Sequence, residues 1–147
     1  MTKNPNIIPG GNFIDDRGVL GFLNSLEGFV VKRTYVITNH QSGYIRAWHG
    51  HKEEEKIFIP ICGSFLIGAV QIADFDNPSS RETPIRRILS EFSMEGFRIP
   101  AGYANGIMNL TEHAKLLVLS NSTLDQSKND DYRYDWDFWN IWNISNR

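Results

Sequence analysis

The sequence predicts an all-β domain, a sandwich or a closed barrel of short strands. Its apolar runs are short and rich in Val, Ile, Phe and Tyr, Gly, Asn, Asp, Ser or Pro separates them, and helix signals are scarce. The runs VLGFL at 19–23, FVVKRTYVIT at 29–38 and YIRAWHGH at 44–51 open the series. KIFIPI at 56–61, FLIGAVQI at 65–72 and IRRIL at 85–89 form its centre. GFRI at 96–99, GIMNL at 106–110 and KLLVLS at 115–120 close it. So many short strands suit a sandwich or barrel. DFDNPSSRET at 74–83 reads as a surface hairpin loop, and LDQSKNDD at 124–131 as a polar loop.

At 147 residues the chain fits one domain, 1–147, with a tail from about 125 to 147. The stretch 132–144 is too aromatic to be left in water, so it is expected to pack on the barrel or on a partner subunit. A net charge of −2, from 15 basic and 17 acidic residues well mixed, excludes the electrostatic footprint of a nucleic-acid or anionic-membrane binder. An anionic partner must then be held by a few placed arginines. Cys62 is the single cysteine, which rules out an intrachain disulfide, and its apolar surroundings predict a buried core thiol. The N-terminus lacks the apolar core of a signal peptide, and no apolar run reaches the roughly 20 residues of a membrane span. A cytoplasmic enzyme or binding protein is expected.

Successive side chains of a strand alternate faces, so His49 and His51 share one side while Gly50 points away. Trp48, at the opposite parity, is expected to pack outside any pocket the histidines line. Lys52, Glu53, Glu54, Glu55 and Lys56 form a charged run that reads as a bend toward solvent.

Gly43, His49, His51, Glu55 and Gly63, the last one position late, resemble the first cupin signature. Gly96, Pro100, Gly102, Asn105 and Asn109 resemble the second, with Asn105 where metal-binding cupins carry a histidine. The resemblance implies a double-stranded β-helix, the cupin jelly roll. A neutral amide is a weak ligand for a metal such as zinc, which favours metal-free acid–base work and no cofactor. The alternative is a metal-dependent cupin using His49, His51 and Glu55.

A finer resemblance covers nearly the whole chain. DDRGVLGFL at 15–23, VKRTYVI at 31–37 and RAWHGHK at 46–52 are similar to dTDP-4-keto-6-deoxyglucose 3,4-ketoisomerases, where the paired histidines belong to the active site. IPAGYANGIMNLTEHAKLL at 99–117 and YRYDWDFWNIW at 132–142 are similar to dTDP-4-dehydrorhamnose 3,5-epimerases. The resemblance implies an isomerase or epimerase of a nucleotide-linked 4-keto-6-deoxy sugar in bacterial surface-polysaccharide synthesis. It makes His49 the catalytic base and His51 its partner. Arg46 then contacts nucleotide phosphate, Arg17 supplies a second phosphate contact often lent by a neighbouring subunit, and Asp135 or Asp137 orients the base.

The epimerase tyrosine acid has no counterpart, because the matching stretch reads Ser122, Thr123, Leu124. Inverting a carbon needs a proton donor opposite the base, whereas moving a keto group can return the proton on one face. Tyr35, Tyr103, Tyr132 or Tyr134 is left as a displaced acid, which keeps a single-centre epimerase as the alternative. An imidazole titrating near neutrality suits removal of a proton beside a ketone. Protonated His51, Arg46 or Asn105 is expected to meet the developing enolate oxygen. Arg17, Arg33 and Arg46 suit a diphosphate handle, since guanidinium forks match phosphate oxygens. Tyr103 is a candidate to stack on base or sugar, against core packing as the better reading of any one aromatic taken alone. A homodimer is expected, built through the N-terminal strand or the aromatic tail.

Overall fold

A computed structural model describes residues 4–147 and is an all-β jelly roll. The strands are β1 (Asn6–Ile8), β2 (Gly10–Asp15), β3 (Gly18–Leu23), β4 (Arg33–Ile37), β5 (Ile45–His51) and β6 (Lys56–Cys62), followed by β7 (Ser64–Gln71), β8 (Ile85–Ser90), β9 (Gly96–Ile99), β10 (Tyr103–Asn109) and β11 (Lys115–Ser120). A helix, α1 (Leu124–Lys128), and a two-residue strand, β12 (Tyr132–Arg133), complete it. One sheet runs β1-β9-β6-β11-β4 and the other β12-β5-β10-β7-β8, with β2 and β3 forming a separate hairpin. Every strand pair is antiparallel.

Alternation divides each strand between two cores. Phe65, Ile67, Leu89 and Ile107 of one sheet meet Phe58, Phe97, Leu116 and Val118 of the other. The intervening Leu66, Val70, Ala104 and Met108 face outward, where Trp139 and Trp142 of the tail cover them. Ile57, Ile59 and Leu119 on the outer face of the first sheet lie beneath Leu23, Phe29 and Met94. Burial on both faces explains why β6 and β7 read as continuous apolar runs.

Trp48 is fully buried outside the jelly-roll interior, as parity requires, and its Nε1 donates to the Trp136 carbonyl at 3.1 Å. Its ring meets Trp139 edge-on with centroids 5.6 Å apart. Gly68 makes room for it, because a Cβ there would lie 2.5 Å from Trp48.

Several expectations change. β1 and β2 are added, the run at 29–38 is extended only over Arg33–Ile37, and β10 begins at Tyr103. The expected loop at 124–131 contains α1, because Thr123 and Gln126 form a reciprocal capping box that satisfies the first turn. Cys62 is only half-buried: it ends β6 opposite Lys115, just beyond the point where the pairing with β11 slips between Lys115 and Leu116. The charged run at 52–56 does not bend into solvent as a unit: Glu54, Glu55 and Lys56 are buried, each with a polar partner. No helix among the described residues is long and apolar enough to cross a membrane.

Candidate active site

β5 brings His49 and His51 to one face, and a cleft of about 550 Å³ opens over them. His49 sits opposite Asn105 of β10 and opposite Arg133 of β12. Strict alternation would turn Arg46, three positions earlier, to the other face. The β5–β10 register shifts between Asn105 and Ile107, and Arg46 lines the cleft with His49. Its Nε donates to Asn39 Oδ1 at 2.7 Å, and the buried Asn39 in turn donates to Asn109 Oδ1 at 3.0 Å. Arg46 is therefore aimed by a pair of asparagines.

The two histidines have different surroundings. Burial, helped by the Lys56 and Arg133 cations, pushes His49 down to about 4, with Asp131 opposing, so its imidazole is neutral at pH 7. His51 has both ring nitrogens engaged. Nδ1 lies 2.6 Å from the Asp130 carbonyl, an acceptor only, so Nδ1 carries the proton, and Nε2 lies 3.0 Å from Lys56 Nζ and accepts from it. Burial also lowers Lys56 from the usual lysine range, opposed by Glu54. The Glu54 carboxylate accepts from Arg33 at 2.9 Å, Ser120 at 2.5 Å and Ser127 at 2.8 Å, and lies 3.2 Å from His51 Nδ1. Desolvation raises its affinity for a proton, but the cations and hydrogen bonds outweigh it and hold the carboxyl below the usual range.

Tyr35 of β4 lines the cleft with Arg33 stacked 5.0 Å from its ring centroid. Burial and the Glu54 charge push its phenol up to about 12, so it is a proton donor at neutral pH. Arg33, Arg46, Lys56, Lys128 and Arg133 make the cleft strongly cationic on a chain of net charge −2, and Asp131 is the carboxylate among the lining side chains. Such a surface fits a polyanion.

The remaining expected site residues lie elsewhere. Asp135 and Asp137 are exposed and do not line the cleft: β12 ends at Arg133, and the chain turns away where Phe138 donates to the Asp135 carbonyl. Neither orients His49. Tyr103 is buried in the inter-sheet core with its hydroxyl 3.4 Å from Asn4 Oδ1, so it does not stack on a cleft ligand. Tyr132 packs on Phe75, and Tyr134 donates to the Phe75 carbonyl at 2.7 Å. Arg17 stands at the tip of the β2–β3 hairpin, paired with Asp15 and 84% exposed, away from this cleft. Asn105 lines the cleft and donates to the His49 carbonyl at 3.3 Å.

Lys56, Glu54, Asp130, Asp131 and Arg133 were not expected here. Arg133 reaches β5 through the β12 pairing and Asp130 through hydrogen bonds to His51 and the turn that follows it, and sequence spacing cannot show either. The donors do not fit a divalent metal. Glu55 turns to Arg98, whose Nε lies 2.8 Å from its Oε1, and the His51 Nε2 lone pair is directed at the Lys56 ammonium. Among the described residues no group of three or more His, Cys, Asp or Glu is arranged to hold a metal ion.

A comparison with curated proteins finds no match. Among solved structures, a 3,4-ketoisomerase from Helicobacter canadensis is 27% identical, with a TM-score of 0.70 over 90% of this chain and 92% of that one. A mutant of the 3,4-ketoisomerase QdtA from Thermoanaerobacterium thermosaccharolyticum, in complex with TDP-4-keto-6-deoxyglucose, is 25% identical with a TM-score of 0.71, covering 94% of this chain and 92% of that one. A dTDP-4-dehydrorhamnose 3,5-epimerase from Bacillus anthracis, with TDP and PPi bound, shares the fold at 17% identity and a TM-score of 0.81, covering 99% of this chain and 90% of that one. The model of the family described as FdtA: WxcM-like, C-terminal, matches residues 3–142, and the chain belongs to that family.

Proposed function

We propose that this chain is an isomerase of a nucleotide-linked 4-keto-6-deoxy sugar, moving the keto group from C4 to C3 through an enediol. The single observation that carries this reading is the division of labour in the cleft: a neutral His49 with free access, beside an ammonium at Lys56 and a phenol at Tyr35. Its structural relatives, two of them ketoisomerases and one bound to a 4-keto-6-deoxy sugar nucleotide, support the substrate class.

His49 removes the C3 proton, and the C–H electron pair forms the C3–C4 double bond while O4 takes a proton from Lys56. The neutral amine then takes the O3 proton, C3 becomes the carbonyl, and the His49 imidazolium returns its proton to C4. Proton transfer of this kind contributes roughly 10²–10⁴-fold. A base held near 4 is weak; burial is the main cause and the Lys56 and Arg133 cations the second, and the diphosphate brings negative charge against those cations, which offsets their part of the depression. Arg46, with its terminal nitrogens open to the cleft, grips the phosphates.

Single-centre epimerisation is the second reading, and the Tyr35 phenol is the observation that favours it. Incubation with dTDP-4-keto-6-deoxyglucose in D₂O, followed by NMR, separates the two. A 3-keto product labelled at C4 supports isomerisation, whereas a 4-keto product inverted at C3 supports epimerisation. Failure of any nucleotide-linked 4-ketosugar to take up deuterium sinks both.

The active form is proposed to be a homodimer. The β2–β3 hairpin leaves Phe13 and Leu20 on one face and Ile14 and Val19 on the other, all between 58% and 71% exposed, apolar surface suited to a second copy, with Arg17 at its tip available to that copy's cleft. A cytoplasmic setting fits a free thiol at Cys62.

A further inference from the structure

Asp130 stands where α1 ends and β12 is about to begin, and it is 7% exposed. Its carboxylate accepts three consecutive backbone N–H groups across the chain: Oδ1 from Lys52 at 2.7 Å, and Oδ2 from Glu53 at 2.8 Å and Glu54 at 2.9 Å. Its own N–H donates to the Ser127 carbonyl at 3.1 Å, and its carbonyl takes the His51 Nδ1 proton at 2.6 Å. One residue thereby fastens the helix that walls the cleft, the turn that leads from β5 to β6, and the ring of His51.

The opposite tautomer of His51 would aim an N–H at the Lys56 ammonium and a lone pair at the Asp130 carbonyl, two repulsive contacts in a buried space. The turn matters as much. Glu54 leaves it to bind Arg33, Ser120 and Ser127, and Lys56 follows two residues later into the cleft. Three amides converging on one carboxylate form a nest that an uncharged aliphatic side chain cannot replace.

We propose that Asp130 is a positioning residue of this site, holding His51 in the Nδ1–H tautomer and setting the Lys52–Glu54 turn so that the Lys56 ammonium is presented to the cleft. Its effect on rate rests on the isomerase reading, while its effect on His51 does not. The test compares wild type, Asp130→Asn and Asp130→Ala by ¹⁵N NMR of the histidine rings and by kcat and KM on the sugar nucleotide.

In the folded Asp130→Ala protein, His51 is expected to change from one tautomer to a mixture. Its kcat should fall roughly 100-fold, the cost of an ångström-scale misplacement, with KM nearly unchanged because Arg46 is held by Asn39 instead. Asp130→Asn, which keeps one acceptor oxygen, should fall between, and it serves alone if the alanine variant does not fold. A His51 that stays wholly Nδ1–H in the variant overturns the proposal, and so does an unchanged kcat. If wild type turns over no ketosugar, the functional reading fails, and the His51 tautomer alone still decides the role of Asp130.

Discussion

Lys56 Nζ lies 3.0 Å from His51 Nε2, on the floor of a cleft where His49 keeps its imidazole free. The paired histidines of β5 are therefore not equivalent: His51 is committed to holding a cation, and His49 is available to a substrate.

Replacing Lys56 by Met removes the ammonium and leaves an unbranched side chain of similar length in its place. The fold should survive, read by circular dichroism, while kcat falls on the order of 10²–10³, the usual loss for one preorganised donor to a developing oxyanion. Wild-type turnover by the folded variant would exclude Lys56 from the chemistry.

The pH dependence of His49 follows from its depression to about 4 from the ordinary 6.5. In the free enzyme kcat/KM should rise as pH passes upward through about 4 and the imidazole loses its proton. Arg133→Leu removes one of the depressing cations and should move that limb to higher pH. Stability has a matching signature. Between about 6.5 and 4 the unfolded chain binds a proton at His49 that the folded chain refuses, so the contribution present above pH 6.5 is lost as pH falls through this window. Urea midpoints of His49→Asn should lack that loss.

Glu55 pairs with Arg98 in a largely buried site, and the Arg98 guanidinium also donates to the Glu27 carbonyl at 2.8 Å. Glu55→Ala should destabilise by roughly 3–5 kcal/mol in urea titration, the cost of leaving a buried charge unpaired. Deuterium exchange by the remaining folded protein should persist, and metal content should match wild type. Loss of a stoichiometric metal in this variant would restore the metal-cupin alternative.

Trp139 is 3% exposed against Trp48 and ties the tail to the strand that bears both histidines. Trp139→Ala should cost about 3–5 kcal/mol by chemical denaturation, typical of a large core aromatic truncated to alanine. A smaller change would mean that the tail can close over the gap.

The hairpin yields a separate test of assembly. Leu20→Asp should convert a dimer to a monomer in sedimentation, and Arg17→Ala should weaken TDP binding without changing the oligomer. A monomeric wild type would remove Arg17 from the site.

Much was legible from short-range pattern. β-branched runs and turn formers place most strands, because β propensity and backbone breaks are local properties. Parity puts His49 with His51 and Trp48 behind them, since alternation is a property of one strand. The capping pair Thr123 and Gln126 was also legible, and reading 124–131 as loop overlooked it. The role of the charged run was not legible: its burial depends on Arg33, Arg98, Ser120 and Asp130, each far away in the chain.

By itself, the sequence determined the all-β class and the two histidines on a shared face, because these follow from residue type and a period of two, while the resemblance to the second cupin signature marked Asn105 as standing in place of a third histidine. Tertiary structure alone decided which histidine is free. That depends on the segment 130–133 laying Asp130 beside His51 and Arg133 beside His49, and on burial of Lys56, interactions between groups that only the folded chain brings within hydrogen-bond and Coulomb range.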